Sequence, residues 1–194
     1  MRGTRFRIDT IMSDKDFDQP SYIVLNVPEP IAGAVKALRR RFDPERAELP
    51  VEVTVAGSGG LGTIKPGQDP EVVYKLLDEI ALDTSPIDVR FGPMRRFPNT
   101  TIFFLDIEPD ERIKYLQQRL IDSDIEFEPS PFPFEPHCTI KLRGATYIKD
   151  VRNMLSFKYQ SAIVTLNTLS VYNHEEAILN PRLLHRANLG KLET

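Results

Sequence analysis

Two tripeptides in this chain each set a side chain that can carry a proton two residues before a hydroxyl. They are Glu52–Val53–Thr54 and His137–Cys138–Thr139, and the second begins 85 residues after the first. In an extended strand alternate residues share a face. Glu52 then stands beside Thr54, and His137 beside Thr139 and Lys141, while Val53, Cys138, Ile140 and Leu142 turn toward the core. A carboxyl or imidazole next to a hydroxyl suits phosphoryl chemistry: the threonine donates to a nonbridging oxygen while its neighbour moves a proton. The plainer alternative makes Glu52 an ion-paired strand residue, His137 a polar strand end and both threonines ordinary strand formers.

Each tripeptide follows a proline, Pro50 or Pro136, and each lies in a segment with strand character. Ser21–Val27 reads as a first strand, stopped by Pro28 and Pro30. Ile31, Ala34, Val35, Leu38 and Phe42 then recur at helical spacing, with Arg39–Arg40–Arg41 read as a solvated face, and Asp43–Pro44 ends the helix. Val51, Val53 and Val55 mark the strand of the first tripeptide. Gly57–Gln68, with five of the chain's 10 glycines, reads as a loop. Asp69–Pro70 caps a helix through Val72, Val73, Leu76, Leu77 and Ile80. Ile87–Phe91 and Thr101–Leu105 read as strands, interrupted by Arg95, Arg96 and Pro98, and Pro109 opens a helix carrying Ile113, Leu116 and Leu120. Four prolines between Pro129 and Pro136 stiffen the approach to the strand His137–Leu142. Tyr147–Phe157 fits a short helix, and Ala162–Tyr172 and Ala177–Leu184 read as the last strands. The order predicts an α+β fold with mainly antiparallel pairing. Residues 1–20 read as an N-terminal arm, 21–189 as one domain and 190–194 as a tail.

The two motifs, their separation and the element order around them resemble the 2H phosphoesterase superfamily, the LigT-like, 2′-5′ RNA ligase and cyclic nucleotide phosphodiesterase group. Members of that family carry two histidine-x-threonine or histidine-x-serine motifs, one in each pseudo-symmetric lobe. His137 and Thr139 match the second motif. At the first, Thr54 matches the hydroxyl residue and Glu52 stands where a histidine is expected. The resemblance, over roughly Ser21 to Leu189, implies a bilobed fold, with two antiparallel sheets around a central cleft, helices outside and both chain ends in one lobe. It implies His137 and Glu52 as catalytic residues, Thr54 and Thr139 as phosphate ligands, and no metal or cofactor. The substrate it implies is an RNA end or a nucleoside 2′,3′-cyclic phosphate, opened by hydrolysis or joined as by a 2′-5′ RNA ligase. A carboxylate with a reference pKa near 4.3 would repel that phosphate. The alternative is therefore an inactive nucleotide- or RNA-binding protein, or a protein-interaction module, on the same scaffold.

Other signals are weaker. Gly57–Ser58–Gly59–Gly60–Leu61–Gly62 satisfies the glycine spacing of a dinucleotide fingerprint, but the next helix opens only near Pro70 and the phosphate-loop lysine is missing. Lys141, on the His137 side, is a further phosphate ligand or a surface lysine, and Tyr22 alternates onto the cleft side of its strand. Arg90, Arg95 and Arg96 supply positive potential or a solvated rim. His174 and His185 show no metal-ligand spacing and read as structural or exposed, and Cys138 as a buried small hydrophobe. The lone cysteine excludes an internal disulfide framework. A formal charge of −3 argues against a protein that coats nucleic acid nonspecifically. With no apolar run of membrane-spanning length and a polar first 19 residues, the expectation is a cytoplasmic protein with no membrane partner.

Overall fold

The computed structural model describes residues 16–142, 144, 146–173 and 181–190. Among these residues ten strands and four helices follow one another as β1 (Ser21–Asn26), α1 (Ile31–Phe42), β2 (Glu52–Ala56), β3 (Leu61–Ile64), α2 (Pro70–Leu82), β4 (Ile87–Arg96), β5 (Phe103–Glu108), α3 (Glu111–Ile121), β6 (Phe127–Pro129), β7 (Cys138–Lys141), α4 (Ile148–Leu155), β8 (Val164–Leu166), β9 (Thr168–Asn173) and β10 (Leu183–Asn188). A 3-10 turn over Pro44–Arg46 links α1 to β2. Six strands form one antiparallel sheet in the order β10-β9-β1-β3-β6, with β2 also paired to β1, and four form a second in the order β7-β5-β4-β8. Both ends of the described chain thus lie in the first sheet, as the bilobed expectation required.

Helices cover the sheets from outside: α2 packs on β10, α3 on β2, α1 on β7 and α4 on β4. Val73, Leu77 and Ile80 on α2 and Ile113, Leu116 and Leu120 on α3 are buried, whereas Leu76 of the expected α2 stripe is only partly buried and Val72 is exposed. The buried residues join one apolar core with Ile23, Leu25, Val53, Val55, Leu169 and Val171. α2 begins where expected, the Asp69 carboxylate accepting from the Glu71 amide at 2.9 Å with Pro70 in the first turn. Phe17, just before β1, is 2% exposed and packs on Tyr74 of α2.

Several boundaries differ from the sequence reading. Within the expected loop Gly57–Gln68, Leu61–Ile64 forms β3, whose Ile64 is fully buried and pairs with Phe127 of β6. Gly62 permits this because a Cβ there would overlap the Glu128 carbonyl. β4 does not stop at Phe91. It passes an irregularity at Gly92–Pro93 and resumes, so Arg95 and Arg96 pair with Phe104 and Phe103 instead of interrupting. The segment read as one strand, Ala162–Tyr172, is two: β8 pairs with β4 in the second sheet, and after Asn167 β9 pairs with β1 in the first. The change of partner coincides with a slip in the alternation, from Val164 and Leu166 to Leu169 and Val171 across the polar pair Asn167–Thr168, which a reading as one strand runs through. The last strand runs over Leu183–Asn188, C-terminal to the expected Ala177–Leu184, of which residues 177–180 lie outside the described residues.

Candidate functional site

The alternation expected of both tripeptides is present. Val53, Val55, Cys138 and Ile140 are at most 1% exposed and sit in the core, while Glu52, Thr54, His137 and Thr139 are half-buried on the opposite faces. Val24, opposite Thr54, and Phe104, opposite Thr139, are also at most 1% exposed yet stand outside the main core. They form an apolar floor beneath the polar residues.

One arginine joins the two tripeptide strands. Arg39 of α1 is 6% exposed, and its Nε and Nη2 donate to the Thr139 carbonyl at 3.1 and 2.9 Å. Its Nη1 donates to the Leu49 and Pro50 carbonyls at 3.2 and 3.0 Å, just before β2. The rigid guanidinium fork suits this bridging role. β2 packs directly on β7 at this seam, with the Cys138 thiol beside Glu52 and Arg39, and the Asp43 carboxylate accepts from the Leu142 amide at 3.1 Å. The reading of Arg39–Arg40–Arg41 as one solvated face is thereby corrected. Arg40 pairs with Glu48 at 2.8 Å and Arg41 lies over the Phe42 ring, but Arg39 is interior.

His137 is held by its neighbours. Its Nδ1 lies 2.6 Å from the Glu135 carbonyl, which can only accept, so Nδ1 carries the hydrogen and the neutral ring keeps its lone pair on Nε2. Phe97 meets the ring edge-on at 4.9 Å and Phe104 tilts against it at 5.1 Å. Burial lowers its pKa, outweighing the opposing effect of Glu135, so the imidazole is neutral at pH 7.

Glu52 does not carry the ordinary carboxylate charge that its residue type suggests. Burial pushes its pKa up to about 7, against the pull of Arg39 and Arg46, and its Oε2 is buried without a hydrogen-bond partner among the described residues. Its neighbour Tyr22 has its hydroxyl pKa raised by burial, then by Glu52 and Tyr172, on whose ring it stacks at 5.8 Å. Gly57 follows β2 at φ +142°, where a Cβ would lie 2.6 Å from that of Tyr22.

The structure therefore gathers Glu52, Thr54 and Tyr22 on one sheet and His137 and Thr139 on the other, across the Arg39 seam. Lys141 is 8% exposed, with its Nζ 3.7 Å from the Cβ position of Gly144 at the far end of β7, so it is not a surface lysine. Arg46, on the 3-10 turn, acts on both Glu52 and Tyr22, and sequence reasoning missed it because no motif includes it. Asn26 was also missed, although a lone amide in an apolar strand was a visible signal. Arg95 is neutralised by Asp106 at 2.6 Å and Arg96 lies over Phe103. In the glycine loop the Gly57 and Gly60 amides donate to the Leu61 and Phe132 carbonyls. His185 bonds Asp78 at 2.7 Å and stacks on Tyr74, away from the groove, and His174 lies outside the described residues. Among the described residues no helix is long and apolar enough to cross a membrane, and no three His, Cys, Asp or Glu side chains gather as metal ligands.

Residues 27–177, which contain both tripeptides, match the family described as the 2′-5′ RNA ligase superfamily. The chain belongs to that family. It is 25% identical to a Bacillus pumilus protein named "Putative phosphoesterase" over 169 residues, covering 87% of this chain and 90% of the relative. The fold agrees with solved members of the LigT group. TT0787 of Thermus thermophilus superposes with a TM-score of 0.63 at 15% identity, covering 89% of this chain and all of that one. E. coli LigT in apo form gives 0.61 at 16% identity, covering 89% and 98%. E. coli LigT in complex with 3′-AMP gives 0.59 at 18%, covering 89% and 99%. The two sheets with outer helices are the bilobed architecture of that group, and the 2′-5′ RNA ligase superfamily gives the chain a phosphoesterase-like function.

Proposed function

We propose that this protein opens 2′,3′-cyclic phosphates on RNA ends or nucleosides without a metal, with Glu52 and His137 as the proton-transfer pair. One observation carries the reading: a carboxyl with a pKa near 7 and a buried oxygen unpartnered among the described residues stands beside Thr54, across the Arg39 seam from His137 and Thr139. Glu52 occupies the place of the family's first histidine, and its surroundings give it a histidine's titration range. Near neutral pH the pair holds one transferable proton, on Glu52, and one free lone pair, on His137 Nε2. In that form the carboxyl does not repel a phosphate.

His137 takes a proton from water as the water oxygen bonds to phosphorus. The bond from phosphorus to one ribose oxygen breaks, and Glu52 delivers its proton to that oxygen. The product is a phosphomonoester with a free neighbouring hydroxyl, and proton exchange with solvent resets the pair. Thr54 and Thr139 donate to the nonbridging oxygens, and Lys141 and Arg46 add positive potential. The test is turnover of a nucleoside 2′,3′-cyclic phosphate in the presence of a chelator. The wild type hydrolyses it and His137→Ala loses at least about 10²-fold. Binding without turnover by the wild type would replace this reading with the inactive-scaffold alternative.

A further inference from the structure

The groove side of the six-stranded sheet continues past Glu52 into a cleft that this reaction does not use. One row of residues crosses four strands in register: Thr54 on β2 faces Val24 on β1, Val24 faces Ser170 on β9, and Ser170 faces Arg186 on β10. Glu52 begins the neighbouring row opposite Asn26, and Thr168 opposite Asn188 lies at its far end. Asn26 ties the rows together, accepting from the Ser170 hydroxyl at 2.5 Å and donating to the Tyr172 hydroxyl at 3.4 Å. Beside it opens a cleft of about 350 Å³ lined by Asn26, Pro28, Asn167, Thr168, Arg186 and Asn188.

The lining has the chemistry of a sugar–phosphate site. Three amides and a hydroxyl offer donors and acceptors, and among the described residues that line it there is no carboxylate and no charge besides the Arg186 guanidinium. The Arg186 side chain is exposed and makes no hydrogen bond or ion pair with any other described residue. Three interstrand steps of about 4.8 Å put it roughly 14 Å from Thr54, beyond the reach of a phosphate held at Glu52 and His137. We propose that this cleft holds the nucleotide adjoining the reacting end of an RNA strand, with Arg186 on its phosphodiester and the amides on its sugar and base edges. The inference rests on the groove being an RNA-end site. It goes further in making the preferred substrate an oligonucleotide, since a mononucleotide leaves the cleft empty.

The experiment compares kcat/KM for a trinucleotide ending in a 2′,3′-cyclic phosphate with that for the matching nucleoside cyclic phosphate. The wild type favours the trinucleotide about tenfold or more. Arg186→Glu lowers kcat/KM for the trinucleotide about tenfold more than for the mononucleotide. Trinucleotide binding to His137→Ala, followed by fluorescence anisotropy, has a log–log salt slope that becomes shallower by about 0.7 when Arg186 is also replaced by alanine, the change expected for one lost phosphate contact on a single strand. If the mononucleotide is turned over but the trinucleotide gains nothing, or Arg186→Glu affects both alike, the cleft proposal falls and the reaction stands. If the wild type neither binds nor converts either compound, both readings fall.

Discussion

Glu52 keeps its proton to about pH 7 because burial outweighs the pull of Arg39 and Arg46, whereas in the unfolded chain it releases it near 4.5. Between those values the folded state binds more protons than the unfolded one, so this residue makes stability fall as pH rises through the window. Glu52→Gln should therefore be about 1–3 kcal/mol more stable than the wild type at pH 8 and equal to it at pH 4, measured by urea unfolding at the two pH values. The same substitution should lower cyclic-phosphate turnover about 10²–10⁴-fold, because an amide cannot deliver a proton, while Glu52→His should retain it. A variant that is both more stable and inactive would be hard to reconcile with a merely structural glutamate. His137, whose pKa is lowered, must be neutral, and Glu52 must be protonated. The pH profile of kcat/KM should then be a bell, falling on the acid side below the imidazole's ordinary 6.5 and on the alkaline side near 7. Of this site the sequence revealed the residue types and their faces. It hid the pKa of Glu52, because the burial that raises it and the charges of Arg39 and Arg46 that oppose it come from segments that no spacing rule connects to it.

At the scale of elements, α1 is the part whose role was least visible in the chain. Its apolar stripe predicted a helix, and three consecutive arginines at its end predicted solvation. Two of them behave so, but Arg39 points inward and bridges the backbone of β7 to the approach of β2. One turn of helix carries all three, so only the position of β7, about 100 residues away, decides which is buried. Arg39→Lys should cost about 3 kcal/mol or more of stability, since an ammonium cannot serve three carbonyls with the geometry of the fork. It should also lower turnover in the fraction that stays folded, checked by unfolding curves and by activity normalised to folded protein. β3 and β8–β9 were hidden for a related reason. Short strands are specified by their partners, and Leu61–Ile64 becomes one only because β6 arrives beside it.

The whole molecule is bilobed without being two successive halves, for the chain passes between the sheets four times: from β3 to β4, β5 to β6, β6 to β7 and β8 to β9. The alternating patterns and the separation of the tripeptides made that class of fold readable, and helix caps such as Asp69–Pro70 were legible directly. The crossing at Asn167 was marked only by a one-residue slip in the alternation across Asn167–Thr168, which a bulge within one strand would produce equally. With so many crossings the lobes should unfold together, so amide exchange at Leu25 of the first sheet and Leu105 of the second should report the same opening free energy. Cys138 offers a clock for a smaller motion. It is the only cysteine in the chain, it is fully buried, and burial pushes its thiol up to about 11. Its sulfur lies at the seam where β2 packs on β7. A thiol reagent added to the native protein at pH 8 can react only when that seam parts, so the labelling rate measures how often the two halves of the groove come away from each other. A cyclic phosphate bound between them should lower that rate in proportion to the fraction of protein left unliganded, allowing the protein's own single thiol to count substrate without any added probe.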